Sequence, residues 1–173
     1  MALTEYPAIP YCPAVSMEEL PMHSLGNIDL LRLHKVAFLC SRNCPSDIRR
    51  SAQVWADQQR EQGICVISGY HSPIEKEVLH RLLAGAQPIV IALASGLGSV
   101  ASEWREPMED GRLLVITRYA DSVTHADQSK CFQRNRLMLE LADEIVIAHA
   151  SPGGNLERLC REYEHKQFSW LWP

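Results

Sequence analysis

The chain has 173 residues, 46% of them hydrophobic, which is the size of one domain and enough to bury a substantial core. A formal net charge of -4 excludes a global positive field that would draw it to nucleic acid or an anionic membrane, so any anion site must be local. Six cysteines, at positions 12, 40, 44, 65, 131 and 160, are too few for a disulfide scaffold, and reduced thiols in a cytoplasm fit them best.

Residues 1–22 read as a proline-rich arm. The stretch "MALTEYPAIPYCPAVSMEELP" carries Glu5 early and prolines at 7, 10, 13 and 21, so it is neither a secretion signal nor a membrane anchor. Residues 23–173 read as one domain. "PMHSLGNIDLLRLHK" is a short loop and a helical turn or two leading into the first strand, "VAFL" at 36–39. "SDIRRSAQVWADQQREQG" is an amphipathic helix stopped by Gly63, and "ICVI" at 64–67 is the next strand. "PIEKEVLHRLLAGA" is the second helix and "PIVIAL" the third strand. A long loop follows, "ASGLGSVASEWREPMEDGR", in which Trp104 is a packing anchor. Then come the strand "LLVITR", a helix over Thr124–Ala142, the strand "EIVIAHA" and the helix "NLERLCREYEHK". "QFSWLW" is an edge strand in which Trp170 and Trp172 alternate. They are expected to close the sheet's own edge, whereas exposure of either would mark an interface.

Short, nearly continuous apolar strands separated by helices mean βαβ units. The fold class is therefore α/β, a Rossmann-like three-layer sandwich with a mostly parallel sheet. The sequence holds no G-x-G-x-x-G and no Walker motif, so no dinucleotide or ATP cofactor is expected. Cys40 and Cys44 have no second Cys/His pair at zinc spacing, so no metal is expected either.

In an open parallel sheet ligands bind at the carboxyl ends of the strands. The loops there are "CSRNCPSD", "SGYHSPIEKE", "ASGLGS", "TRYADS" and "HASPGGNLE". Ser41, Ser68, Gly69, Ser95, Gly96, Gly153 and Gly154 offer backbone amides near helix starts, which form an anion-binding edge without net positive charge. Arg42, Arg118, Arg134 and Arg136 add directed donors. Ser72, Pro73 and Glu75 meet every requirement of a capping box. His71 and His149 stand at strand ends, where either could act as acid or base near neutrality.

The segment "KCFQRNRLMLELADE" poses a separate question, because two arginines bracket an asparagine inside an apolar helix. At roughly 100° per residue, Cys131, Phe132, Met138, Leu139, Leu141 and Ala142 define one face. Asn135 falls near its middle and is expected to point inward as a brace, with Arg134 and Arg136 on opposite flanks.

Taken in order, "LGNIDLL", "VAFLCSR", "VISGYHSPIEKEVLHRLLAGAQPIVIALASGL" and "FQRNRLMLELADEIVIAHASPGGNLERLC" resemble the Rossmann-like domain of the DNA-processing proteins called DprA or Smf. The resemblance spans residues 23–170 and rests on four motifs: Cys40-Ser41-Arg42, Ser68-Gly69, Phe132-Gln133-Arg134-Asn135-Arg136 and Ser151-Pro152-Gly153-Gly154. It implies a site that holds single-stranded nucleic acid or a nucleotide by its phosphates, in a cytoplasmic homodimer that loads recombinase onto the strand, with no membrane partner. Carried over residue by residue, Ser41, Arg42, Ser68, Gly69, Arg134 and Asn135 line that site. Their neighbours Tyr70, His71, Gly153 and Gly154 complete the expected ligand contacts, and Arg136 is left as a salt-bridge or interface residue.

The sequence departs from the family pattern at two places. Cys40 stands where the first turn has glycine, and Ser68-Gly69-Tyr70-His71-Ser72-Pro73-Ile74-Glu75 replaces S-G-x-A-x-G-I-D, bringing in a carboxylate. The wider superfamily includes phosphoribohydrolases of the LOG type, whose P-G-G-x-G-T-x-x-E motif is partly echoed by "PGGNLE". The alternative this implies is a nucleotide phosphoribohydrolase cleaving an N-glycosidic bond, with Glu75, His71 or Glu157 as the catalytic group.

Overall fold

A computed structural model describes residues 21–98 and 100–171. Apart from Pro21 and Met22, the proline-rich arm lies outside the described residues, as does Trp172. Seven strands form one sheet: β1 (His23–Gly26), β2 (Lys35–Cys40), β3 (Cys65–Ser68), β4 (Ile89–Ala92), β5 (Leu113–Thr117), β6 (Glu144–His149) and β7 (Gln167–Trp170). Their spatial order is β1-β5-β4-β3-β2-β6-β7. Every pairing is parallel except β1 with β5, so the mostly parallel α/β sandwich expected from the sequence is the fold observed.

The helices are α1 (Ile48–Gln62), α2 (Pro73–Leu83), the short α3 (Arg105–Glu109), α4 (Gln128–Leu141) and α5 (Asn155–Glu162). They cover both faces, which is why β2 to β5 are buried along almost their whole length and read as continuous apolar runs. Alternation along β2 divides the core. Val36, Phe38 and Cys40 face α1 and α2, where Phe38 stacks on Trp55 with ring centroids 4.7 Å apart. Ala37 and Leu39 face the layer of Phe132, Met138, Leu156 and Leu159.

Local chemistry sets the helix ends. Gly63, at φ 69°, takes the left-handed conformation that ends α1. The expected capping box opens α2: the Ser72 hydroxyl accepts from the Glu75 amide, the Glu75 carboxylate accepts from the Ser72 amide, and Pro73 fills the first turn.

Two readings need correction. The segment before β2 contains a strand as well as helical turns: His23–Gly26 pairs antiparallel with β5 before a 3-10 helix over Ile28–Arg32. All four β1 residues are exposed at the sheet's edge, so no alternating apolar signal marks them. At the opposite edge β7 forms as expected, but Trp170 is 51% exposed and does not close the edge.

The chain runs from β2 outward through β3, β4 and β5, then returns to the other side of β2 as β6. This reversal puts the topological switch between β2 and β6, with the β2, β3 and β6 loops meeting at the carboxyl edge. Among the described residues no helix is long and apolar enough to cross a membrane.

Candidate functional site

The residue at the centre of this edge is Arg134. It is 5% exposed on α4, while Asn135 and Arg136 are only half-buried, so the inward-facing polar group is the arginine and not the asparagine. The helical wheel misplaces them because Leu137, also buried, widens the apolar arc on Arg134's side. The arginine thus lies within the arc rather than on its flank. Its Nε donates to Asn135 Oδ1 at 2.8 Å, and its Nη1 donates to the carbonyls of Gly69 and Ala92 at 3.4 Å each. All three acceptors are neutral. Arg136 instead forms an ion pair with Glu162 and lies 5.6 Å from the centre of the Phe132 ring.

Gly69 makes room for this guanidinium. A Cβ there would stand 2.3 Å from Arg134 Cζ and Nη1 and 2.6 Å from Nε. Gly69→Ala therefore forces the arginine to move. Equilibrium denaturation is expected to show about 1–3 kcal/mol of destabilisation, and most of that loss should vanish in an Arg134→Ala background. Equal losses in both backgrounds would show that the glycine serves some other contact.

Next to this pair stand His71 and Arg42. Arg42 is exposed at the end of β2, and its Nη2 lies 2.7 Å from His71 Nε2. Burial first, then the Arg134 and Arg42 charges, hold the His71 pKa below its ordinary 6.5, so the imidazole is neutral at pH 7 and accepts from Arg42. Between Gly69 and His71, Tyr70 adopts φ 48°, and its amide donates to the buried Ser68 hydroxyl at 3.3 Å. The Tyr70 ring turns into the core, where its hydroxyl is buried with no hydrogen-bond partner among the described residues.

Glu75 ties these loops together. Oε1 accepts from the Cys40 amide at 3.0 Å, and Oε2 accepts from His71 and Ser72 at 2.8 and 3.0 Å. The carboxylate is 5% exposed and committed to backbone amides, which makes it a brace between the β2 and β3 loops and leaves it poorly placed for hydrolysis. Glu157 is engaged in a similar way: it accepts from the Gly153 amide at 2.8 Å and pairs with Arg161 at 3.4 Å. The Gly154 amide donates to the Ser151 carbonyl at 2.9 Å, so the turn satisfies both of its glycine amides internally rather than presenting them to a ligand.

Ser41 closes the switch point. Its amide donates to the His149 carbonyl at 2.8 Å, its hydroxyl accepts from the Ser151 amide at 2.9 Å, and Ser151 Oγ donates to the Asn43 carbonyl at 3.1 Å. The fold therefore gathers Arg42, Gly69, His71, Arg134 and Asn135 into one patch, places Ser41 beside it as a loop tie, and turns Ser68 and Tyr70 inward. Sequence reasoning missed Ser151 and the Ala92 carbonyl. Ser151 stands in the Ser151-Pro152-Gly153-Gly154 motif, but the motif assigns it no contact of its own, and the Ala92 carbonyl is a backbone oxygen at a strand end that no residue type marks. Among the described residues no group of three or more His, Cys, Asp or Glu side chains could hold a metal ion.

The model of the family "DNA recombination-mediator protein A" matches residues 4–159. The chain belongs to that family. Known structures agree on the fold: DNA processing protein A (DprA) of Streptococcus pneumoniae superposes with a TM-score of 0.71 at 20% identity, over 86% of this chain and 54% of that one. The chain thus spans about half the length of the pneumococcal family member. DNA processing protein A of Helicobacter pylori, described for a unique single-stranded DNA binding mode, gives 0.70 at 16% identity, over 91% of this chain and 77% of that one. The molybdenum cofactor carrier protein of Chlamydomonas reinhardtii shares the architecture more distantly, at 0.51 and 10% identity over 80% of this chain and 76% of that one. No curated protein matches the sequence significantly.

Proposed function

We propose that this protein binds the phosphate backbone of single-stranded DNA at the carboxyl edge of its sheet and acts in DNA processing or recombination, as a binder rather than a hydrolase. The observation that carries this is Arg134: a residue 5% exposed whose three acceptors among the described residues are all neutral. A buried cation without a counter-charge is costly, and a bound anion supplies the missing charge. Arg42, exposed and held 2.7 Å from a neutral histidine, places a second cation on the same patch. Family membership supports the reading, because the family's name denotes recombination mediation. A nucleotide offers the same phosphate chemistry, and competition between a mononucleotide and an oligonucleotide separates the two.

The experiment is a salt titration with a fluorescent single strand. If Arg42 and Arg134 each neutralise one phosphate, log Kobs should fall against log salt with a slope of about -1.4. No binding at low salt would end the DNA reading. A homodimer, also part of this proposal, would place two such patches on one strand, and light scattering should give twice the chain mass. The proposed setting is a reducing cytoplasm, in which the five described cysteines, all free, remain thiols.

Binding should also depend on pH through His71. Its folded pKa is lowered, so the folded state favours the neutral imidazole; that contribution is present above 6.5 and is lost as the pH falls through the folded value. Protonation ends the hydrogen bond from Arg42 and adds a positive charge beside the phosphate. Oligonucleotide affinity is therefore expected to rise on acidification by at most about tenfold per pH unit, the slope of one linked proton. His71→Asn should flatten the profile.

A further inference from the structure

Arg134 is steered by its neighbour in the chain. Successive residues on a helix do not face each other, yet Asn135 Oδ1 accepts from Arg134 Nε at 2.8 Å. Nε is only a donor, so the atom that meets it is the amide oxygen and not the amide nitrogen. This is the one contact of ordinary length, because the bonds from Nη1 to the Gly69 and Ala92 carbonyls, at 3.4 Å each, are too long to fix the orientation of the group. The loop backbone closes one side of it, since a Cβ on Gly69 would stand 2.3 Å from Cζ. A guanidinium has five N–H groups. Asn135 takes the one on Nε and the two carbonyls take those on Nη1, which leaves the pair on Nη2. Nη2 has no acceptor among the described residues, and it reaches solvent.

We propose that Asn135 is a positioning residue for the anion site: its neutral amide oxygen holds Arg134 by Nε, so that Nη2 points to the ligand with the positive charge uncompensated. A buried arginine is ordinarily paired with a carboxylate. Asparagine offers the same acceptor at the same place without the charge. A carboxylate there would satisfy Arg134 internally and repel a phosphate, whereas an apolar residue would free the guanidinium to swing and give up the preorganised donor. Each two-nitrogen edge of the guanidinium contains a nitrogen already engaged, so the phosphate is held through Nη2 alone. The role in binding rests on the phosphate reading above, while the hold on Nε does not.

The test compares the full chain with Asn135→Asp and Asn135→Ala in three measurements: affinity for a fluorescent single strand and for inorganic phosphate, thermal unfolding, and solvent exchange of the Arg134 Nε–H by 15N-edited NMR. The Nε–H signal is assigned by its absence in Arg134→Met. Asn135→Asp is expected to lose at least about a hundredfold in oligonucleotide affinity, as a like charge meets the phosphate, while its unfolding midpoint stays level or rises. Asn135→Ala should lose about tenfold. The Nε–H should be protected in the wild type and in Asn135→Asp and exchange fast in Asn135→Ala. A residue that served structure alone would leave Asn135→Asp as tight a binder as it is stable, and that result overturns the proposal. So does an Nε–H that exchanges in the wild type as fast as that of the exposed Arg32. A wild type that binds phosphate but no oligonucleotide ends the DNA reading and leaves Asn135 positioning Arg134 for another phosphate ligand; binding of neither overturns both.

Discussion

Arg134→Met is expected to weaken oligonucleotide binding by about ten- to hundredfold, the equivalent of about 1.5–3 kcal/mol for a lost charge-assisted contact. The same variant should leave the unfolding midpoint nearly unchanged or raise it. Methionine keeps the length of the side chain in its slot beside Gly69 and Ala92 and removes a cation whose acceptors among the described residues are all neutral. The two hydrogen bonds that it loses to backbone carbonyls are long, at 3.4 Å, and contribute little. The opposite pair of results, large destabilisation with binding intact, would identify Arg134 as a structural residue and remove the main support for an anion site. Oligonucleotide titration and thermal unfolding of one preparation decide between them.

The second large effect is on stability. Glu75→Gln should destabilise the protein by about 2–4 kcal/mol, because a carboxylate that accepts from three backbone amides is replaced by a group with only one acceptor oxygen. One arm of the brace, towards Cys40 or towards His71 and Ser72, then faces an NH2 group instead of an oxygen. For a chain of this size the midpoint should fall by about 5–15 °C. Oligonucleotide affinity should fall as well, since the loops that carry Arg42 and His71 lose their common anchor. A variant as stable as the wild type would show that water or Ser72 can replace the brace. Incubating wild type with nucleoside monophosphates tests the hydrolase alternative directly: release of free base that disappears in Glu75→Gln would revive it.

Much of this molecule is legible in its sequence. The α/β class follows from β2 to β6 being short apolar runs between helical periods, a consequence of a parallel sheet with helices on both faces. The capping box of Ser72 and Glu75 is readable because it is local, with both partners within one turn. The candidate loops are equally readable, because strand order is not needed to know that ligands gather at the carboxyl ends. What escaped is non-local or lacks a pattern. β1 is exposed at every residue and borrows its structure from β5.

The sequence by itself determined the fold class, the helix caps and the family motifs, since each is written in local periodicity or in adjacent residue types. Only the tertiary structure decided what those motifs do. It turned Arg134 inward beneath Gly69, gave Glu75 a third amide from Cys40, 35 positions away in the chain, and joined Ser41 to Ser151 across the switch point. The physical reason is the same in each case. A buried polar group must find its partner wherever the packed chain brings one, and packing between distant segments sets that distance.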